Sequence, residues 1–352
     1  MCINPPLKQR EDFIFIPYLL FLKELELLGA SEFVTGILAG DKVIIARAIT
    51  LLESSAENQR NKALEILDHC LPYSGNSIRI GITGAPGAGK STFIEALGNQ
   101  FLPENKKIAV LAVDPSSKKS KGSILGDKTR MQELSKNDNV FIRPTPAGTT
   151  VGGVASATRE TIIILEAAGY EIIIVETVGV GQSETAVYDM TDIFLLLLIA
   201  GAGDELQGIK RGIMEMADII LINKSDGDNM EKAKIAKGDV DRAIHLYQPK
   251  DSGWQTVTET CSAITGHNLE TIKQLINSYL NTVAQNGYFK TRRKQQFKQW
   301  FHEDLNNKLL HHFHLNPTFR KLLAEQEIKI EKGEILPPKA VQGLLHQFLN
   351  MI

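Results

Sequence analysis

The sequence predicts an α/β protein built on a doubly wound, mostly parallel β-sheet, with helical extensions at both ends. Two observations lead to this prediction. From residue 76 to residue 284, apolar segments of strand length alternate with segments of helical periodicity, as in a chain that crosses a parallel sheet repeatedly. Several strand segments, such as residues 193–200, are continuously apolar, which indicates that both faces of the sheet are covered.

The elements of the sheet region follow from this alternation. We expect strands at residues 78–83, 108–113, 140–144, 171–176, 193–200, 218–223 and 256–261. We expect helices at residues 91–101, 153–168, 207–216, 230–247 and 268–280. Because ligands of such sheets bind beyond the carboxyl ends of the strands, functional residues are expected there.

The N-terminal region, residues 1–75, has a helical pattern. Apolar residues recur at three- and four-residue spacing over residues 41–53, and Asp41 is the expected N-cap of that helix. Another short helix is expected before Pro72. We interpret this region as a small helical lid or buttress in preference to an independent ligand site.

The C-terminal region, residues 285–352, returns to a helical pattern. Its aromatic stripe, which includes Phe297 and Phe301, fits either packing against the main domain or an oligomer contact. Arg292-Arg293-Lys294 is interpreted as a solvated face. Among the histidines between residues 302 and 314, His311 and His314 could share one helix face, but no cysteine or nearby acidic residue completes a set of metal ligands with them.

The composition is that of an ordinary soluble globular protein, with 43% hydrophobic and 23% charged residues. The formal net charge of −2 predicts no general attraction to nucleic acid. Cys2, Cys70 and Cys261 form no C-x-x-C pair, which indicates neither a disulfide framework nor a cysteine metal site. The apolar run at residues 13–22 is too short to span a bilayer. We therefore expect a cytoplasmic protein that binds no membrane.

A glycine-rich motif lies between the first predicted strand and the helix that follows it. It matches G-x-x-x-x-G-K-[ST], the pattern of a loop whose backbone N–H groups bind nucleotide phosphates. The alternative is a glycine-rich turn without a ligand, which the flanking strand and helix disfavour. Lys90 is expected to contact the β- and γ-phosphates, and Ser91 to bind Mg²⁺. The predicted phosphate site consists of Gly84, Ala85, Pro86, Gly87, Ala88, Gly89, Lys90, Ser91 and Thr92.

An N-K-x-D motif, formed by Asn223, Lys224 and Asp226, predicts which base is bound. It directly follows a predicted strand, at the position where guanine-specific proteins place this motif. A carboxylate there accepts hydrogen bonds from both the ring N–H and the exocyclic amine of guanine, a pair of donors that adenine lacks. Ser262 and Ala263 follow the next strand and resemble a segment whose backbone N–H meets the guanine O6. GTP is therefore expected in preference to ATP.

Acidic residues at strand ends are candidates for binding the metal ion of the nucleotide complex. Glu176 ends a buried strand, where a carboxylate can hold a metal-bound water while the N–H of Gly179 contacts the γ-phosphate. Asp114 ends the second strand, and Asp127 lies in a segment rich in Gly, Ser and Lys. The alternative for both aspartates is a solvated loop charge. Together with Ser91, these three acidic residues are the candidate ligands of Mg²⁺.

Hydrolysis is expected to be slow in the absence of a partner. Val180 stands where many GTPases have the glutamine that orients the attacking water, and Gln182 is displaced from that position. Lys210 is a candidate for a group brought in by loop rearrangement, although an exposed helix lysine is the alternative. The candidate catalytic residues are therefore Lys90, Glu176 and Lys210.

Taken together, these motifs resemble those of the methylmalonyl-CoA mutase-associated GTPases, the MeaB/ArgK group. The segments that carry the resemblance are GAPGAGKST, AVDPSS, ILGDKTRM, ETVGVGQSE, GAGDELQGIK and NKSD. The resemblance implies a P-loop GTPase that binds GTP and GDP with Mg²⁺. It implies N-terminal helices at residues 1–75, a GTPase domain at residues 76–284 and a C-terminal dimerisation arm at residues 285–352. In that group, the segments matching Glu176 and residues 203–210 belong to mobile switch regions.

The resemblance also implies a homodimer with a chaperone-like role. GTP binding and hydrolysis would gate the loading of adenosylcobalamin onto a B12-dependent acyl-CoA mutase and the removal of damaged cofactor. Two other functions compete with this one. A nickel or cobalt metallochaperone GTPase would usually carry a His- or Cys-rich tract before or near the phosphate loop, and the chain has none there. A small-molecule kinase would need an acceptor-binding signature, which is not visible.

Overall fold

The computed structural model describes residues 28–113, 131–145, 153–177, 183–200 and 211–349. Before the sheet, Asp41 is the N-cap of a helix, as the sequence predicts. Its side chain accepts hydrogen bonds from the backbone N–H groups of Val43 (2.8 Å) and Ile44 (3.2 Å). The helices in this region are α1 (Ala30–Leu38), α2 (Lys42–Leu52) and α3 (Glu57–Cys70).

The sheet has seven strands, and every pair of neighbours is parallel. Their order is β3-β2-β4-β1-β5-β6-β7. Strands β2 to β4 therefore lie on one side of β1, and strands β5 to β7 lie on the other. This reversal beside β1 creates the crevice in which such sheets bind ligands. The strands are β1 (Ile78–Gly84), β2 (Ile108–Val113), β3 (Val140–Thr145), β4 (Ile172–Thr177), β5 (Ile193–Ile199), β6 (Ile219–Asn223) and β7 (Val257–Thr260).

Helices cover both faces of the sheet, which explains why its strands are continuously apolar. Phe93 of the first sheet helix and Ile276 of the last are fully buried in one core with the side chains of β1 and β5. A second core joins Val240 to Ile220 and Ile222 of β6 on the opposite face. The helices are α4 (Lys90–Phe101), α5 (Gln132–Ser135), α6 (Gly153–Ala167), α7 (Ser183–Tyr188), α8 (Arg211–Met216), α9 (Met230–Ile244) and α10 (Leu269–Gln285).

The N-terminal helices are attached to the sheet domain by ion pairs as well as by packing. Arg60 of α3 pairs with the buried Glu160 of α6. Arg143 of β3 pairs with Glu53, which follows α2, at 2.7 Å. Because each pair is partly shielded from solvent, it fixes the helices more firmly than an exposed pair would. One pair joins the N-terminal helices to α6, and the other joins them to the edge strand β3.

The chain divides into two compact units, residues 1–294 and residues 295–352. The second unit has a small core of its own, in which Phe319 packs against Phe348 with 5.1 Å between ring centroids. Asn316 begins one of its helices, since its side chain accepts hydrogen bonds from two backbone N–H groups of the first turn. The C-terminal helices are α11 (Tyr288–Leu315), which starts in the first unit, α12 (Pro317–Glu331) and α13 (Pro337–Leu349).

The interpretation of Arg292-Arg293-Lys294 as a solvated face is wrong for the two arginines. Arg292 is only 7% exposed, and the side chain of Arg293 is 11% exposed. Both guanidinium groups find oxygen acceptors in the segment that precedes β5, and Arg293 pairs there with Asp192 at 2.7 Å. These hydrogen bonds offset the cost of removing the two charges from water. Lys294 is exposed, as expected.

No helix in the described part of the chain is both long enough and apolar enough to cross a membrane.

Candidate nucleotide-binding site

The phosphate loop connects β1 to α4, and close contacts require two of its glycines. A Cβ atom at Gly84 would lie 2.4 Å from the carbonyl oxygen of Leu197 in β5. Gly89 has a φ of +85°, and its Cβ would lie 2.8 Å from Nδ2 of Asn223. Gly87 also has a positive φ of +83°, but a Cβ there would meet nothing within 4 Å in the described part of the chain. The loop therefore passes closely against β5 and the end of β6.

Lys90 is the first residue of α4, and its side chain turns back over the loop. Its Nζ donates hydrogen bonds to the carbonyl oxygens of Gly84 (2.8 Å) and Ala85 (3.2 Å), and the residue is buried. Gly89, the N-cap of α4, has no side chain with which to bond the N–H groups of the first turn. An ammonium group and the N-terminus of a helix thus lie together at one loop, which suits the binding of phosphate.

Ser91 and Glu176 are brought together from distant parts of the sequence. Ser91 lies in the first turn of α4, whereas Glu176 lies near the end of β4, paired in register with Ile82 of β1. The Oγ of Ser91 donates a hydrogen bond to Oε1 of Glu176 at 3.1 Å. A hydroxyl and a carboxylate beside a phosphate loop are hard oxygen ligands of the kind that Mg²⁺ prefers. Two of the four candidate metal ligands are therefore adjacent, and the donor set fits the ion.

A threonine pair beside the site had not been expected from the sequence. Thr177 Oγ1 donates a hydrogen bond to Thr83 Oγ1 at 2.8 Å, and both residues are buried. Thr83 immediately precedes Gly84, and Thr177 immediately follows Glu176. The bond therefore ties the start of the phosphate loop to the strand end that carries the candidate metal ligand. The available signal was a threonine near the end of each of two apolar strands.

Asn223 connects the two ends of the site. Its Nδ2 donates a hydrogen bond to the carbonyl oxygen of Ala88 in the phosphate loop at 2.8 Å. Its Oδ1 accepts hydrogen bonds from the backbone N–H of Ala263 at 3.3 Å and from the thiol of Cys261 at 3.6 Å. The side chain is buried, so both of its polar atoms are satisfied within the protein. Asn223 thus holds the loop and the segment after β7 at a set separation.

The carboxylate of Asp226 is held by a hydroxyl from the segment after β7. Ser262 Oγ donates a hydrogen bond to Oδ2 of Asp226, while Oδ1 of Asp226 accepts none from the described part of the chain. The backbone N–H of Ser225 donates to the carbonyl oxygen of Cys261 at 2.9 Å, which joins the two segments directly. Lys224, which is exposed, has a φ of +59°. The arrangement leaves an oriented carboxylate beside a backbone segment, as recognition of guanine requires.

Cys261 has a structural place in this site. Burial raises the pKa of its thiol to about 12, so the group stays neutral at physiological pH. A neutral, buried thiol is a poor nucleophile and metal ligand. Its part is to donate to Asn223 and to fill the core beneath the segment that bears Ser262.

The remaining predicted site residues fall into two groups, those described in the phosphate loop and those outside the described part of the chain. Ala88 is fully buried, whereas Pro86 and Thr92 are exposed. Other predicted positions lie outside the described residues, and these are Asp114, Asp127, Gly179, Val180, Gln182 and Lys210.

Comparison with known proteins agrees with this geometry. Residues 45–318 match the family described as methylmalonyl Co-A mutase-associated GTPase MeaB. The chain belongs to the MeaB family. The matched region includes the whole of the sheet, the phosphate loop and the N-K-x-D motif. The resemblance drawn from the sequence motifs is confirmed.

Individual members of the MeaB family align with most of the length of this chain. A protein of Escherichia coli named GTPase ArgK is 41% identical over 91% of this chain and 96% of its own. A probable GTPase of Mycobacterium tuberculosis is 45% identical over 88% of this chain and 93% of its own. The mouse methylmalonic aciduria type A homolog, a mitochondrial protein, is 39% identical over 99% of this chain and 84% of its own.

A solved structure has the same architecture. The crystal structure of a protein described as LAO/AO transport system kinase superposes with a TM-score of 0.74 and 35% sequence identity. The similarity covers 91% of this chain and 97% of that one. Together, the family and its relatives establish that this member of the MeaB family is a P-loop GTPase that acts on guanine nucleotides.

Proposed function

We propose that this GTPase assists a B12-dependent acyl-CoA mutase of the methylmalonyl-CoA mutase type, and that its GTP cycle gates the loading of adenosylcobalamin. The observation that carries the proposal is the match of residues 45–318 to a family described as mutase-associated. The mouse relative, whose printed name refers to methylmalonic aciduria, supports the same assignment. The partner is therefore the enzyme that uses the cofactor.

In this proposal, the nucleotide lies across the carboxyl ends of β1, β6 and β7. The backbone N–H groups of residues 87–92 and the ammonium of Lys90 bind its phosphates. Asp226 accepts hydrogen bonds from guanine, and the backbone N–H of Ala263 lies near the guanine O6. The support for this pose is the hydrogen bonding of Asn223, which holds the loop and the base-binding segment at a constant separation.

Mg²⁺ is proposed to accompany the nucleotide. When bound, the ion neutralises charge on the β- and γ-phosphates. Ser91 Oγ would hold it directly and Glu176 through a water, since the two side chains already lie within 3.1 Å of each other. Asp114 and Asp127 remain candidate ligands from loops beyond the described residues.

The hydrolytic step is proposed to be slow until a partner binds. Glu176 orients water near the metal, Lys90 stabilises charge on the γ-phosphate, and the N–H of Gly179 contacts the same phosphate. Lys210 is the proposed group that a rearranged loop adds. With Val180 in place of a water-orienting glutamine, partner binding supplies what the chain itself lacks.

We further propose that the protein acts as a homodimer through α11. The support is a row of apolar side chains at four-residue spacing on this helix, where the exposed fraction is 42% for Phe297, 63% for Phe301, 41% for Leu305 and 47% for Leu309. Large apolar side chains exposed in a row are typical of protein interfaces. We expect light scattering to give the mass of a dimer for the wild type and the mass of a monomer for Phe301→Glu. A monomeric wild type would contradict the proposal. The cytoplasmic location remains a prediction.

The mutase role is tested by measuring the GTPase rate with and without a purified methylmalonyl-CoA mutase. The rate is expected to rise on adding the mutase, and the two proteins are expected to elute together on gel filtration. Lys90→Ala is the control, because the loss of its phosphate contacts should abolish the rise in GTPase rate on adding the mutase. An unchanged rate together with no complex would contradict the proposal.

The metallochaperone alternative predicts a different result. It requires stoichiometric, tight binding of Ni²⁺ or Co²⁺ in equilibrium dialysis. Among the described residues, no group of three or more His, Cys, Asp and Glu side chains is arranged to hold a metal ion. Tight binding of either ion would therefore indicate a metal site in the rest of the chain, and the metallochaperone function would then replace the mutase proposal.

A further inference from the structure

Two adjacent arginines at the start of α11 bind different parts of the GTPase unit. Arg293 binds residues at the amino-terminal edge of the sheet. Its Nε and Nη2 contact the two carboxylate oxygens of Asp192 at 2.8 and 2.7 Å, and it also donates to the carbonyl oxygens of Gly75 (2.5 Å) and Ser77 (2.6 Å). Asp192 in turn accepts from the backbone N–H of Arg79 in β1. Arg293 is thus a rigid anchor with a charged partner.

Arg292 instead encloses the end of α7. Its Nη2 and Nη1 donate hydrogen bonds to the carbonyl oxygen of Tyr188 (3.1 Å) and to its hydroxyl (3.0 Å), and Nε donates to the carbonyl oxygen of Thr191 (3.2 Å). The guanidinium also lies 4.2 Å from the centre of the Tyr188 ring. A fourth hydrogen bond goes to the hydroxyl of Tyr288. All of these acceptors are neutral.

Both arginines donate charge-assisted hydrogen bonds, because the guanidinium group itself is ionised. The acceptors of Arg292 lie at the end of α7, on Thr191 just after it and on Tyr288 of α11, so its contacts depend on where α7 lies. The acceptors of Arg293 include both carboxylate oxygens of Asp192, and this ion pair keeps α11 attached to the sheet.

The element that Arg292 contacts begins close to the nucleotide site. Residues 178–182 connect Thr177, at the end of β4, to Ser183, the first residue of α7. Glu176 lies at that strand end and accepts the hydrogen bond of Ser91. α7 is a single short helix of six residues that packs against β1 and β4, the two strands whose carboxyl ends carry the phosphate loop and Glu176.

We infer that Arg292 is a positioning residue that ties the end of α7 to the first turns of α11, so that the nucleotide bound at the loop changes the contacts of α11. The inference rests on the proposed nucleotide site but not on the mutase partner. It gives α11, which continues into the C-terminal unit, a defined point at which it senses GTP or GDP.

The test compares amide hydrogen exchange in α11 of the full chain with GDP and with a non-hydrolysable GTP analogue. In the wild type, exchange in the first turns of α11 is expected to differ between the two nucleotides by about threefold or more. Arg292→Lys keeps the charge but loses the fork of donors, and should remove most of that difference while the Kd for GDP changes by less than about twofold. Arg293→Lys is the matched control, and should raise exchange equally with both nucleotides.

Two results would overturn the inference. One is a wild-type protein that binds GDP and the GTP analogue but exchanges identically with both in α11. The other is an Arg292→Lys variant that retains the full difference. If Arg292→Lys fails to fold, Tyr188→Phe replaces it, since it removes one acceptor and should reduce the difference by about half. Failure of the wild type to bind GDP would count instead against the nucleotide site.

Discussion

The two ends of the nucleotide site are built in different ways. At the phosphate end, residues 84–91 act mainly through backbone, and glycines are needed where the loop passes β5 and Asn223. At the base end, side chains bind one another, as when Ser262 holds the carboxylate of Asp226. In the proposed binding mode, the first end would bind the phosphates common to all nucleotides, whereas the second would recognise one base.

This difference predicts that the two functions can be separated by mutation. Changes at the phosphate end should lower the affinity for every nucleotide by the same factor, because all nucleotides carry the phosphates. Changes at Asp226 should alter which nucleotide is preferred, because its carboxylate is the side chain proposed to accept hydrogen bonds from guanine. Asn223 belongs to both ends, since it bonds to Ala88 in the loop and to Ala263 in the base segment. Its replacement should therefore affect affinity and stability together.

The largest effect is expected for Asp226→Asn. The amide accepts one hydrogen bond from the base but presents an N–H to the exocyclic amine of guanine, so charge-assisted bonds of about 1.5–3 kcal/mol each are lost. The affinity for GDP should fall by about 100-fold or more. Xanthosine diphosphate, which carries an oxygen at that position, should bind the variant better than it binds the wild type. Fluorescence titration with both nucleotides measures the change.

A neighbouring variant controls for charge alone. Asp228→Asn removes the same charge from an exposed position two residues away and should leave both affinities within about twofold. If Asp226→Asn kept the wild-type preference for GDP over xanthosine diphosphate, the base end would not depend on this carboxylate.

The next effect is that of Gly89→Ala. An alanine there must adopt a φ of +85°, at a cost of about 1–2 kcal/mol, and its Cβ would lie 2.8 Å from Nδ2 of Asn223. The affinities for GDP and for xanthosine diphosphate should fall by the same factor, about 10- to 100-fold.

Gly87→Ala separates backbone strain from steric contact at the phosphate end. Its φ of +83° is nearly the same, but a Cβ there meets no atom within 4 Å in the described part of the chain. The unfolding temperature without nucleotide should therefore fall less for Gly87→Ala than for Gly89→Ala. An equal loss in the two variants would show that strain alone accounts for the effect and that the contact with Asn223 is unimportant.

Asn223→Ala is expected to loosen the phosphate loop and the base-binding segment together, and so to lower both stability and nucleotide affinity. It leaves the buried carbonyl oxygen of Ala88 and the N–H of Ala263 without their partner, which should lower the free energy of unfolding by about 1–3 kcal/mol. Urea denaturation measures this loss. The affinity for GDP should fall by about tenfold, while the preference for GDP over xanthosine diphosphate stays, because Asp226 is unchanged. A stable variant with a changed preference would contradict the bridging role.

Much of the sheet was predictable because its strands are apolar on both faces. β1 and β2 are found within one residue of their expected bounds. The errors in the predicted bounds occur at the ends of helices and strands where the apolar pattern and the turn residues disagree. α10 was expected to end at residue 280 but continues to Gln285, because Val283 extends the buried face at four-residue spacing from Tyr279. β7, with a single neighbouring strand, is shorter than expected.

The site was predictable to the extent that its residues are contiguous in sequence. The phosphate loop and the N-K-x-D motif are short patterns with known chemistry, and Asp226 and Ser262 lie together as strand order implies. The threonine pair and the burial of Arg292 were not foreseen. Each depends on contacts between residues about 100 positions apart, and local periodicity carries no information on such distances.

The smallest effect is expected for Ser262→Ala, which tests how far the base end depends on its internal hydrogen bonds. The variant removes the hydroxyl that orients Asp226 but keeps the carboxylate itself. A hydrogen bond of this kind contributes about 1 kcal/mol net, so the affinity for GDP should fall by about three- to fivefold with the preference for guanine intact. Isothermal titration with GDP and xanthosine diphosphate measures both quantities. A loss as large as that of Asp226→Asn would mean that the carboxylate binds guanine only when Ser262 holds it, and that the base end acts as one unit.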